Sequence, residues 1–223
     1  MNNIVVLYQT ENVLNKFSFE SWSKYCNKHN LKLFEFTYKI NEKLDQSNQI
    51  FYFYKILEAN NLTVDNILFV SDTTLIKTDV DNIFNITKNK LTFAEWDSDF
   101  NYLFNNIEIY NKHFFKKENV DFTRFFDLGF FIVNNSHKFI FDNVVSFLEN
   151  NYQELRNKLD TTFIPQNFFF ECDYNKLPYT YNMIDMMRKE IVFDDSLKKL
   201  GKIFNFKNIN NKEKIMETVI KSL

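Results

Sequence analysis

Apolar residues recur along this chain in two rhythms, short runs that suit strands and three-to-four spacings that suit helices, and the two alternate. The continuous apolar run 4–7 is short enough for a central strand. A helical pattern begins at Ser18 and Glu20 and ends by Asn30, with Phe17, Trp22, Tyr25 and Cys26 near one face. Residues 31–36 alternate like a half-buried strand, and 50–57 read as a buried helix. The next strand, 66–70, runs into a polar turn and a short helix over 80–84 with Asp79 as its N-cap. Further strands are expected over 91–94, 128–133 and 202–206, with amphipathic helices over 139–148 and 212–223. Strand alternating with helix predicts an α/β domain with a largely parallel sheet. Neither repeat nor linker divides the chain, so one domain over 1–223 is expected.

Composition narrows this further. At 223 residues and 45% hydrophobic, the chain can bury a sizeable core without disulfide or metal staples. A net charge of −2 leaves no broad footprint for nucleic acid. Cys26 and Cys172 are too few for a framework and are read as small buried residues. His29, His113 and His137 are scattered among charged neighbours and are read as exposed. The chain enters its first strand with no leader pattern, and no apolar run approaches the roughly 20 residues of a membrane helix. A soluble, cytoplasmic protein with no membrane span is expected.

In an open parallel sheet, ligands sit beyond the carboxyl ends of the strands, so residues just after Leu7 and just after Val70 should share a crevice. That places Tyr8, Gln9 and Thr10 opposite Ser71, Asp72 and Thr73. A tyrosine there either stacks on a base or packs against the next helix. Glu95 and Asp97 follow another strand, where an acid or a sugar-binding carboxylate would stand, or where a carboxylate is merely solvated. Gly129 is one of only two glycines, and at a strand entrance it suits close approach of a ligand or backbone.

Four segments carry a resemblance to nucleotide-sugar glycosyltransferases of the GT-A fold, similar to family 8 and its viral and bacterial relatives. They are the strand ending Val70-Ser-Asp-Thr-Thr-Leu-Ile76, the run Phe126-Asp-Leu-Gly-Phe-Phe-Ile-Val-Asn134, the run Leu177-Pro-Tyr-Thr-Tyr-Asn182 and the segment Gly201-Lys-Ile-Phe-Asn-Phe-Lys207. The resemblance implies a GT-A-like nucleotide-diphospho-sugar transferase fold with a mixed, mostly parallel central sheet flanked by helices. It implies hexosyl transfer from a nucleotide sugar to a glycan or other acceptor, leaning to retention at the anomeric carbon. It also implies donor contacts at Tyr8, Gln9, Thr10, Ser71, Asp72, Thr73 and Lys207, a catalytic role near Asp127, to which Glu95 and Asp97 are added from their place after a strand, and an acceptor side at Gly129, Phe163 and Ile164.

Several of these positions depart from the family pattern. Ser71 and Thr73 stand where the Asp-x-Asp carboxylates belong, Asn205 stands for the metal-ligating His, Phe163 and Ile164 replace an Asp-Gln pair, and Asp127 replaces Asn. Mn²⁺ or Mg²⁺ is therefore expected to be weakly held, by Asp72 and Asn205, or dispensed with. Two functional readings follow. In one, a transferase uses Lys202, Lys207 and Lys212 to neutralise the diphosphate. In the other, a catalytically degenerate protein of the same fold binds nucleotide, glycan or another protein.

Overall fold

The computed structural model describes residues 2–11, 13–95, 125–155, 172–184, 195–207 and 209–223, with residues 104, 168 and 169. The strands are β1 (Asn3–Tyr8), β2 (Lys32–Phe36), β3 (Asn66–Ser71), β4 (Thr74–Ile76), β5 (Leu91–Ala94), β6 (Phe130–Asn134), β7 (Tyr174–Leu177), β8 (Met183–Ile184) and β9 (Ile203–Asn205). The helices are α1 (Lys16–Lys28), α2 (Phe53–Ala59), α3 (Lys138–Leu155), α4 (Asp195–Leu200) and α5 (Lys212–Ile220).

Among the described residues, six strands form the main sheet in the order β2-β1-β3-β6-β5-β7. β1 runs parallel to β2 and β3, and β7 parallel to β5, while β6 is antiparallel to both of its neighbours. This is the mixed, mostly parallel arrangement expected. β6 runs backwards, so its first residues meet the carboxyl ends of β3 and β5, with Phe130 opposite Val70 and Phe131 opposite Phe93. Thus the segments leaving β1, β3, β5 and β7 and the segment entering β6 share one edge of the sheet.

Period-two alternation sorts the apolar residues onto two faces. Ile4, Val6, Phe69, Phe93 and Phe131 pack with α2 and α3 residues such as Phe53 and Phe141. Val5, Leu7, Leu68, Val70 and Ile132 pack with Trp22, Tyr25 and Cys26 of α1. Stacked rings fill the first layer, with Phe69 on Phe131 at 5.0 Å and Phe93 on Phe126 at 4.5 Å.

α1 starts where Asn15 accepts hydrogen bonds from the Phe17 and Ser18 amides, and it stops at Asn30, whose φ of 54° turns the chain toward β2. Its buried serines reach sideways. Ser18 Oγ donates to Thr74 O at 2.7 Å and Ser21 Oγ to Ile76 O at 2.8 Å, while Ser21 Oγ also accepts from Ile76 N at 2.9 Å. Trp22 Nε1 donates to Thr74 Oγ1 at 2.9 Å. These bonds anchor β4, the outer strand of a small second sheet ordered β4-β9-β8. α5 covers that sheet through Met216 and Val219.

Four sequence readings change. Thr74–Ile76, read as part of a polar turn, is strand β4, because the α1 serines and β9 satisfy its backbone. The short helix after it is a 3₁₀ turn, Ile83–Ile86, capped by Asn82 and not by Asp79. The 50–57 helix divides into a 3₁₀ segment, Gln46–Tyr52, and α2. His137 is buried, where its Nδ1 accepts from Asn134 N in a capping box, whereas His113 lies outside the described residues. Cys26 is buried and Cys172 half-buried. No described helix is long and apolar enough to cross a membrane.

Candidate donor site

The shared sheet edge gathers most of the expected donor residues. Asp72 N donates to Tyr8 O at 2.9 Å, and Thr10 donates twice to Asp72 Oδ1, from its amide at 3.1 Å and its hydroxyl at 2.5 Å. The segments after β1 and β3 are therefore stitched together. Burial is the main force raising the Asp72 pKa above 3.8, opposed by the Thr10 hydrogen bonds, the Lys212 charge and the Asn15 amide. Gln9 is also buried, with its amide donating to Phe36 O at 3.1 Å.

The Tyr8 ring lies in the core layer, and its hydroxyl donates to Leu128 O at 2.8 Å. Its faces are covered, which is the packed alternative for this residue. Burial, then the charges of Asp127 and Asp72, push its phenol well above 10, so it stays a neutral donor.

On the other side of Asp72, alternation turns Ser71 and Thr73 toward β9. Ser71 Oγ and Thr73 Oγ1 are 2.7 Å apart, and Thr73 Oγ1 donates to Asn205 Oδ1 at 2.9 Å. Asn205 Oδ1 also accepts from Lys207 N at 3.0 Å. Its Nδ2 donates to Asp127 Oδ1 at 3.1 Å and to Asn182 Oδ1 at 3.0 Å. Asp127 Oδ1 takes a further bond from Gly129 N at 2.7 Å, and its Oδ2 takes one from Lys207 Nζ at 2.9 Å. The result is a buried polar net linking four chain segments, 71–73, 127–129, Asn182 and 205–207, in which every named group has a partner.

Gly129 is required by this net. A Cβ there would come within 2.5 Å of Asn205 Nδ2, closer still to Asp127 Oδ1, and 3.2 Å from Ser71 Oγ. Ser71 N also donates to Gly129 O at 3.0 Å, which holds the entrance of β6 against the end of β3.

The remaining candidates sit apart from the net or outside view. Glu95 stands at the same sheet edge, but its half-exposed carboxylate pairs with Lys176 at 3.1 Å. Asp97, Phe163 and Ile164 lie outside the described residues. Of the three lysines, Lys207 faces Asp127, and Lys212 pairs with Glu11 close enough to Asp72 to favour its charged form. Lys202 turns to the far end of β9, where its ammonium donates to the Tyr181 hydroxyl at 2.7 Å. Asn182 was not among the sequence candidates, although it closes the Leu-Pro-Tyr-Thr-Tyr-Asn run that carried the resemblance.

A hard divalent cation wants several oxygen ligands, charged ones foremost. Asp72 and Asn205 have different partners, Thr10 for one and Thr73 with Asp127 for the other. Ser71 and Thr73 offer neutral hydroxyls already bonded to each other, and the one carboxylate in the net is neutralised by Lys207. Among the described residues no three His, Cys, Asp or Glu side chains converge on a common point. This donor set does not fit Mn²⁺ or Mg²⁺.

The mixed six-stranded sheet, with the polar segment after β3 and the C-terminal strand β9 paired beside it, is a GT-A-like α/β fold. Solved structures agree. The chain is similar to a glycosyltransferase involved in the glycosylation of the major capsid of PBCV-1, with a TM-score of 0.59 at 10% identity over 97% of this chain and 98% of that one. It is also similar to the WbbM bifunctional glycosyltransferase (TM-score 0.57, 11% identity, 98% of this chain) and to the glycosyltransferase GlyE of Streptococcus pneumoniae TIGR4 (0.56, 13%, 100%). It spans 49% of the WbbM chain and 63% of the GlyE chain. No protein-family profile and no curated protein matches the sequence.

Proposed function

We propose that this chain transfers a sugar from a nucleotide-diphosphate sugar to an acceptor hydroxyl, with lysine charge in place of a tightly held divalent cation. The observation that supports this reading is Lys207, whose ammonium is 2.9 Å from buried Asp127 and beside Asn205, the residue that the resemblance sets in place of a metal-ligating His. In the transfer, the acceptor oxygen forms a bond to the anomeric carbon as the bond from that carbon to the diphosphate oxygen breaks. The bonding pair leaves with the nucleoside diphosphate, and the hydroxyl proton passes to a base or to the leaving phosphate. The charge growing on that oxygen is what a fixed ammonium stabilises.

Asp127 has three donors on it, so its part is to aim Lys207 rather than to take a proton. Gln9 and Thr10 border the nucleotide, and Gly129 lets the acceptor side approach the net. The net is complete within the protein, which also favours a second reading, a nucleotide- or glycan-binding module that no longer transfers.

Thermal-shift measurements with UDP-, GDP- and CDP-sugars, in Mn²⁺ or in EDTA, test the proposal. Stabilisation by one donor that is equal in EDTA and is lost in Lys207→Met is expected. Stabilisation that needs Mn²⁺ would refute the lysine site, and silence toward every donor would refute the nucleotide reading. Release of nucleoside diphosphate from the stabilising donor then separates transferase from binding module.

A further inference from the structure

An open cleft of about 660 Å³ is bounded by Glu11, just beyond β1, and by residues 209–214, which lead into α5. Its volume falls within the range of small-molecule sites, yet its lining is mostly polar, which suits the charged part of a ligand and not an aromatic ring. Two lysines, Lys212 and Lys214, and two carboxylates, Glu11 and Glu213, line it, so its charges cancel. Lys212 is mostly buried and its ammonium is held by the largely exposed Glu11 carboxylate, joining chain segments 201 residues apart. The cleft adjoins the site already described: Thr10, next to Glu11, is fixed by Asp72, and Lys212 acts electrostatically on that same Asp72.

We propose that Glu11 is a charge gate on this cleft, which takes the diphosphate of a nucleoside diphosphate or its sugar. The incoming phosphates displace the Glu11 carboxylate from Lys212. With Glu11 engaged, the cleft exerts no net pull on an anion; with Glu11 turned outward, one positive charge is uncovered. Among the described residues the Glu11 carboxylate pairs with Lys212, while the Asp72 bonds are made by Thr10, so the Glu11 side chain swings out without disturbing the Asp72–Thr10 bonds. The pair is partly solvent-exposed, so the energy needed to part it is small and the gate tunes affinity without blocking entry. This inference rests on the nucleotide-sugar reading above and adds to it a residue that lowers donor affinity.

Calorimetric titration of the full chain in EDTA with UDP, GDP, CDP and inorganic pyrophosphate tests it. Glu11→Gln is expected to tighten binding of the preferred nucleoside diphosphate by roughly two- to fivefold, the span an exposed ion pair supports. Lys212→Ala weakens it, and Glu11→Gln placed on Lys212→Ala brings no gain, because the gate has nothing left to release. Nucleotide binding that is unchanged by Glu11→Gln overturns the gate and leaves the donor-site reading standing. Pyrophosphate binding tightened by Glu11→Gln, with no nucleotide bound, sustains the gate and overturns the nucleotide reading. No binding of any of the four to either protein overturns both. Glu11 is exposed and outside regular structure, so Glu11→Gln folds normally, as circular dichroism will verify.

Discussion

Replacing Lys207 by Met keeps most of the side-chain stem and removes the ammonium from Asp127. The Asp127 side chain is 1% exposed and that of Lys207 35%, with 2.9 Å between charged atoms. Exposed pairs contribute at most about 1 kcal/mol, while stripping one partner from a fully buried pair costs about 3–5 kcal/mol. With one partner buried and the other a third open, a loss of about 2–3 kcal/mol is expected. For a chain of this length that corresponds to roughly 4–12 °C in Tm. Asp127→Asn keeps an oxygen for Gly129 N and Asn205 Nδ2 but points an amide N–H at the Lys207 ammonium, and costs about 1–2 kcal/mol. In the double variant that clash is gone. Its loss should fall short of the sum of the single losses by at least about 1 kcal/mol. Urea unfolding at pH 7 with an unchanged slope measures all four proteins. A Lys207→Met loss below about 0.5 kcal/mol, or strictly additive variants, would refute the claim that this pair holds the net together.

Gly129→Ala forces a methyl group into Asp127 and Asn205, and is expected to cost about 1–3 kcal/mol in urea unfolding and to abolish nucleotide-induced thermal stabilisation. Stability equal to wild type would mean the net relaxes freely around this residue. Burial raises the Asp72 pKa above 3.8, so the folded state holds this proton more tightly than the unfolded state. The contribution of this group is therefore most favourable below pH 3.8 and is lost as pH rises through the folded pKa. The stability difference between Asp72→Asn and wild type should accordingly move in the variant's favour from pH 3.5 to pH 7, as read from paired urea midpoints at about these two values. Movement the other way would show that Thr10 and Lys212 outweigh burial.

The elements that hydrophobic pattern specified most strongly were visible in the sequence. The run at β1, the alternation at β2 and the apolar strand β3 each allow one register, since a one-residue slip would turn Val5, Leu7 or Val70 to the wrong layer. β4 and β8 were hidden because three and two residues carry too little period, and their pairing comes from β9 and from α1 serines far away in sequence. That the segments after β1 and β3 meet, at Thr10 and Asp72, followed from topology alone. The polar net of Ser71, Thr73 and Asn205 did not, because the bond that closes it, Thr73 to Asn205, joins residues 132 positions apart. His137 was misread for a different, local reason: its capping partner is the backbone of Asn134, three residues earlier, and leaves no hydrophobic signature.

Ser18 and Ser21 answer a question of colloidal behaviour. β4 is the border of the small sheet, and its outward carbonyls and amide would otherwise offer a docking rail to another molecule's extended segment. With both serine hydroxyls laid along that rail, its Thr74 and Ile76 carbonyls and the Ile76 amide are already taken, which leaves lateral recruitment little to grip at this border.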